Sequence, residues 1–134
     1  MIGIDTNILV RYLTADNKEQ FKLATDIIEN HGKEPDSIFI NNIVICELIW
    51  VLSRGYKYKK EQIVFVLKNI LRAVEFKFEN CNILWEALDE YEKKDLDFSD
   101  SLIALINESH KSIKTYTFDK GASLSNHFEL LTTK

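Results

Sequence analysis

Met1-Ile2-Gly3-Ile4-Asp5-Thr6-Asn7-Ile8-Leu9-Val10-Arg11-Tyr12-Leu13 opens the chain, and the way this stretch divides decides the fold. Ile2 to Asp5 reads as a short strand. From Thr6 to Leu13 the apolar period lengthens, placing Ile8, Leu9, Tyr12 and Leu13 on one side of a helix. The same succession of a β-rich run and a helical run continues outward from there. Lys18 to His31 carries Phe21, Ala24, Ile27 and Ile28 at helical spacing, and His31, Gly32 and Pro35 supply its stop, Gly32 as a residue tolerant of left-handed geometry. Ser37 to Ile40 reads as a second strand, with Asn41 or Asn42 capping a helix that runs to about Ser53. Lys60 to Ala73 is a further helix, Val74 to Phe78 a strand, and Asn80 to Lys94 a helix with Leu84, Leu88 and Tyr91 inward. The last third adds a helix from about Phe98 to His110, a strand from Ile113 to Phe118, a helical turn after Asp119, and a strand near Phe128 to Leu131. Four or five strands separated by helices imply an α/β domain whose mostly parallel sheet is covered on both faces.

The 134 residues, 46% of them hydrophobic, suit one domain with a real core, and no linker, repeat or composition break divides them. No stretch approaches the roughly 18 uninterrupted apolar residues of a membrane span, and the N-terminus has no signal-peptide pattern. A cytoplasmic protein with no membrane partner is expected. Cys46 and Cys81 each fall inside an apolar helical pattern and read as buried thiols rather than a metal or redox pair. The net charge of −4 argues against a domain that holds nucleic acid by bulk electrostatics. It leaves room for a nucleic-acid enzyme, because a cluster of carboxylates lowers net charge by itself and a divalent cation restores part of it locally.

In an open parallel sheet, ligands bind in the crevice beyond the carboxyl ends of the strands. Asp5 and Asp119 each end a strand and precede a helical turn, so both are placed at that edge. Each also suits an N-cap, which is the plain alternative. Glu47 lies in the middle of a helix that Ile43, Val44, Ile45, Cys46, Leu48, Ile49, Trp50, Val51 and Leu52 make apolar almost all round. That helix should be buried, and a buried carboxylate needs a partner: Arg54, seven residues on, or a cation. Asp100 stands three residues after Asp97, which resembles a capping box, yet Asp100 also opens a helix that must pack on the sheet. Four acids in one crevice repel one another and raise each other's pKa, and a cation resolves that conflict. Oxygen donors without histidine or cysteine suit Mg²⁺ or Mn²⁺, the ions that pair an activated water with a phosphate.

Ile4-Asp5-Thr6-Asn7-Ile8-Leu9, Glu47 followed by Trp50-Val51-Leu52, Asp97-Phe98-Ser99-Asp100-Ser101-Leu102-Ile103-Ala104, and Thr117-Phe118-Asp119 resemble the successive motifs of PIN domains, in order and across essentially the whole chain. Each motif alone is weak; the four together are specific, and the stand-alone size resembles the VapC toxins of toxin–antitoxin pairs. The resemblance implies a single PIN-like domain over residues 1–134, a sheet flanked by helices, and an Mg²⁺- or Mn²⁺-dependent endoribonuclease. It further implies a homodimer, an RNA substrate and a small cognate antitoxin of the VapB type. By motif Asp5, Glu47, Asp100 and Asp119 take the metal-site positions, Asp5 and Asp100 as direct ligands and Glu47 and Asp119 directly or through water. Thr6 or Asn7 would orient the first acid and Thr117 would hydrogen-bond within the cluster, while Asp97 either joins it or caps its helix.

Arg54-Gly55-Tyr56-Lys57-Tyr58-Lys59-Lys60 interleaves cations and tyrosines in a loop, where Arg54, Lys57, Lys59 and Lys60 could meet phosphates and the rings stack on bases. A solvated lysine-rich turn is the alternative. Arg11 could line the edge of the site or accept an antitoxin carboxylate. His31, His110 and His127 fall at helix ends or before the last strand and are poor candidates for a general base. Apolar excess on the helices Lys18 to His31 and Lys60 to Ala73 would offer a groove for an antitoxin helix or a dimer contact if part of it stays exposed. Two other functions compete: a phosphatase or phosphotransferase with Asp5 as nucleophile, which usually wants a second acid where this chain has Asn7, and a non-catalytic interaction module whose acids are caps.

Overall fold

The computed structural model describes residues 1–133, which form two compact units, the first Met1–Cys81 and the second beginning at Asn82. The first unit contains β1 (Ile2–Gly3), α1 (Thr6–Thr14), α2 (Lys18–His31), β2 (Ile38–Ile40), α3 (Asn42–Trp50), α4 (Lys60–Arg72) and β3 (Phe76–Phe78). Its strands form a parallel sheet in the order β1-β2-β3, with Ile2 opposite Ile38 and Ile38 opposite Phe76. Ile38 and Ile40 are wholly buried and Phe76 and Phe78 nearly so, as fits strands packed by apolar residues on alternate positions. Leu9, Ile28, Ile45, Leu48, Leu52, Ile63 and Leu67 supply the helical part of this core.

The second unit contains α5 (Cys81–Lys93, which begins at the last residue of the first), α6 (Phe98–Ser109), β4 (Thr115–Thr117) and β5 (Phe128–Leu130). β4 and β5 pair in parallel, Thr115 opposite Phe128 and Thr117 opposite Leu130. Leu84, Ala87, Leu88, Phe98, Leu102 and Ala104 are buried, with the Tyr91 and Phe98 rings edge to face at 6.2 Å. The α/β class and the parallel pairing agree with the sequence. The expected single sheet is instead a three-stranded and a two-stranded one. Strands of two or three residues have few backbone groups to share, and hydropathy indicates that a strand exists without indicating which edge it joins.

Local chemistry explains most of the boundaries. Asn17 and Asn41 cap α2 and α3, accepting from the backbone N–H of Gln20 and Val44 at 3.0 Å each. Gly32 ends α2 with φ −89°, so left-handed geometry is not its reason; a Cβ there would lie 2.5 Å from the Ile28 carbonyl oxygen. The helix expected to reach Ser53 ends at Trp50 and continues as a π-helical turn, Val51–Gly55. Cys46 and Cys81 are not joined in a disulfide and are half-buried rather than fully buried. Among the described residues no helix is long and apolar enough to cross a membrane.

Candidate active site

In the first unit, β1 and β2 run side by side, so the segments leaving their carboxyl ends begin at one edge of the sheet. Asp5 lies just past β1 and caps α1: its Oδ1 accepts the Ile8 N–H at 3.1 Å. Glu47 sits one turn into α3, which follows β2. The Thr6 hydroxyl donates to Glu47 Oε1 at 2.6 Å, so the residue next to the first acid orients the second. Asp5, Thr6, Asn7, Glu47, Trp50 and Val51 line one cavity of about 430 Å³.

Glu47 is exposed, against the expectation of a carboxylate buried in an all-apolar helix. α3 does bury Val44, Ile45, Leu48 and Ile49, but Ile43 and Trp50 share the exposed face with Glu47 at 69% and 63% exposure. The mostly apolar composition of this helix concealed an exposed face of three residues. Arg54 is exposed and makes no ion pair with Glu47, so the anticipated structural partner is not the one used.

In the second unit, Asp119 lies two residues beyond β4. Its Oδ1 accepts the Gly121 N–H at 2.8 Å and the Ala122 N–H at 3.5 Å, while Thr117 Oγ1 accepts the Asp119 N–H at 3.0 Å. A Cβ at Gly121 would approach Asp119 Oδ1 to 3.2 Å, so a small residue suits this turn. Asp97 occupies the N-cap position of α6 without a side-chain capping bond. Asp100, in the first turn, is half-buried. Burial, then the negative charges of Asp97 and Asp119, hold its carboxyl above the usual carboxylate range.

The two readings of Asp5 and Asp119 are compatible. One oxygen of each caps a turn, and Oδ2 of each accepts nothing among the described residues; Glu47 likewise keeps Oε2 after Thr6 takes Oε1. Within neither unit, among the described residues, do three His, Cys, Asp or Glu side chains form a ready-made cage. The donor chemistry is uniform: carboxylate oxygens with one lone-pair-bearing atom unused, and one acid destabilised in its charged form by its neighbours. In each unit this donor chemistry suits a hard divalent cation and not a thiolate- or imidazole-preferring metal.

Of the basic candidates, Arg54, Lys57 and Lys59 are exposed and Lys60 is half-buried. Lys57 adopts φ 59°, which bends the loop. Arg11 is held by acceptors: Nε donates to Gln20 at 2.6 Å, and Nη1 donates to Asp16 at 3.1 Å and to the Tyr56 hydroxyl at 3.2 Å. Tyr56 donates in turn to Asp16 at 2.8 Å and meets Tyr58 edge to face. Both tyrosines are half-buried, so the loop's rings are committed to structure. The exposed aromatic of the Asp5–Glu47 cavity is Trp50, which sequence reasoning assigned to the core; its spacing of three from Glu47 was the available signal.

The PIN domain family model matches residues 2–125. The chain belongs to the PIN domain family. The match runs through the sequence of both units and includes every motif quoted above. This PIN domain is also 29% identical over 99 residues to the VapC ribonuclease of Aquifex aeolicus (strain VF5), covering 74% of this chain and 73% of that protein.

Proposed function

We propose that the two units make one PIN domain, residues 1–134, and that it is a divalent-cation-dependent endoribonuclease acting as the toxin of a type II toxin–antitoxin pair. The observation that carries this reading is the state of the acids: Asp5, Glu47 and Asp119 are each fixed through one oxygen and keep the other free. Such residues are pre-organised to bind something outside the protein's own hydrogen-bond network. Similarity to a VapC ribonuclease supports RNA as the substrate class.

Asp5, Glu47, Asp100 and Asp119 would hold Mg²⁺ or Mn²⁺, Asp5 and Asp100 as direct ligands. Such an ion, when bound, supplies a water of lowered pKa and neutralises charge on a phosphoryl group. The chain's own residues do the rest. Thr6 fixes the Glu47 carboxylate, and Thr117 and Gly121 fix the turn bearing Asp119. Asp97 and Asp119 keep Asp100 short of a charge-balancing partner, which favours cation capture. Asn7, exposed beside Asp5, cannot act as the second acid of an Asp-nucleophile phosphatase. The interaction-module reading loses support from Asp97, which makes no side-chain cap bond, and from Glu47, which does not pair with Arg54.

Leu23 and Ile27 on α2 and Phe65 on α4 remain exposed, which supports contact with a small VapB-type antitoxin and with a second copy of the chain. A cytoplasmic location follows from this role. The test is cleavage of a mixed structured RNA pool by the purified chain. Cutting with Mg²⁺ or Mn²⁺ that stops with EDTA is expected. Cutting that ignores EDTA, or none under any condition with a folded chain, overturns the reading.

A further inference from the structure

Asp5 and Asn7 line two cavities at once. One, of about 430 Å³, includes Glu47 and Trp50. The other, of about 340 Å³, is completed by Ile8, Arg11, Gln20 and Leu23. Asp5 therefore stands where the two cavities meet, and the first unit alone provides a two-sided approach to this acid. The chemistry of the two sides differs. On one, an indole is 63% exposed; a side chain with so much apolar surface is usually buried or covered by a ligand. On the other, a guanidinium is immobilised. Gln20 takes Nε, while Asp16 and Tyr56 take Nη1, leaving Nη2 as the nitrogen with no acceptor among the described residues. The Thr14 hydroxyl at 3.0 Å and the Tyr56 hydroxyl fix Asp16 in turn. A guanidinium held this way loses little rotamer entropy on binding an oxyanion through its free edge.

We propose that Trp50 and Arg11 are paired subsites flanking Asp5 for one single-stranded RNA, Trp50 stacking a base and Arg11 Nη2 donating to a neighbouring phosphate. The inference rests on the ribonuclease reading and adds to it two contacts. Stacking tolerates any base, because every base has a π face, and it requires that base to be out of a duplex. Arg11 is neutralised in part by Asp16, so its contribution is orientation more than bulk attraction, in keeping with a chain of net charge −4.

The test titrates a non-cleavable 2′-O-methyl hexanucleotide into full-length protein carrying Trp85→Phe, which leaves Trp50 as the sole tryptophan. Quenching of its fluorescence on binding is expected. By isothermal titration calorimetry, which needs no tryptophan, Trp50→Leu should weaken affinity roughly 5- to 150-fold, the range that loss of one stacked base gives, while Trp50→Phe restores most of it. Arg11→Gln should reduce the slope of log affinity against log salt by about 0.7, one phosphate contact on a single strand. If the Arg11 variants unfold, the Trp50 series decides alone. A wild-type protein that cleaves RNA with metal while Trp50→Leu binds the hexanucleotide as tightly as before overturns the subsites and leaves the ribonuclease reading intact. A wild type that neither binds nor cleaves overturns both. Loss of self-association in Trp50→Leu with unchanged RNA affinity assigns the indole to an interface between copies and overturns the proposal.

Discussion

Asp100 combines a cost and a use. Its folded-state pKa is raised, so the folded protein binds that proton more tightly than the unfolded chain does. Its contribution to stability is therefore complete below the unfolded value of about 3.9 and is lost as pH rises through the folded value. At neutral pH without divalent cation, Asp100→Asn is expected to unfold at a higher temperature than wild type, and the gap should close on acidification as the wild-type residue protonates. Calorimetry without divalent ions checks this; a lower melting temperature for the variant at neutral pH contradicts it. Thr6→Val removes the 2.6 Å bond to Glu47 while keeping the side chain's shape. Loss of a residue that orients a metal-site acid typically costs about 10- to 100-fold in metal affinity or activity; the Mn²⁺ dependence of cleavage reads it out. At this scale the sequence was most informative. The capping Asn41 and the capping alternative for Asp5 could be read from residue type and spacing. The destination of the Thr6 hydroxyl could not, because it joins residues 41 positions apart.

Within the second unit, one cluster ties three elements together. His127, preceding β5, bonds Glu90 of α5 at 2.7 Å through Nε2 and Glu108 of α6 at 2.5 Å through Nδ1. The buried Ser101 hydroxyl donates to Glu90, only 8% exposed, at 2.8 Å. Burial disfavours the charged ring, but the two carboxylates outweigh it, and the net effect raises the His127 pKa. A raised folded-state pKa means that this stabilisation is full below about pH 6.5 and fades as pH climbs through the higher folded value. Urea midpoints for wild type should fall across that window, whereas His127→Gln should start lower and stay flatter; parallel curves would contradict the assignment. Glu90→Leu strands the Ser101 hydroxyl and the His127 Nε2 and should cost roughly 1–3 kcal/mol in urea unfolding. The same elements mark where sequence reading failed. His127 was dismissed as a catalytic base, and the sequence did not suggest the role it has between two helices. Apart from Glu47, α3 reads as apolar almost all round because hydropathy averages over faces, whereas only the packed structure separates buried Ile45 and Leu48 from exposed Ile43, Glu47 and Trp50. The number and parallel sense of the strands followed from alternation and connection length; the division into two sheets depends on hydrogen bonding between very short strands.

For the whole molecule, the proposed function requires Asp5, Glu47, Asp100 and Asp119 to serve one cation and one reaction. A ligand that binds only the folded state stabilises it by mass action. Mn²⁺ or Mg²⁺ should therefore raise the melting temperature of wild type, and should do so far less for Asp5→Asn or Asp100→Asn. Equal shifts in all three proteins would mean that the ion binds elsewhere. The most direct test is the single-turnover cleavage rate of one RNA with Mn²⁺ for wild type, Asp5→Asn, Asp100→Asn and the double variant, each shown to be folded. Groups that act as a unit are strongly non-additive, so either single substitution should lower the rate about as far as both together. Rates that multiply across the two substitutions, or that match wild type in either single variant, would contradict a shared acidic site.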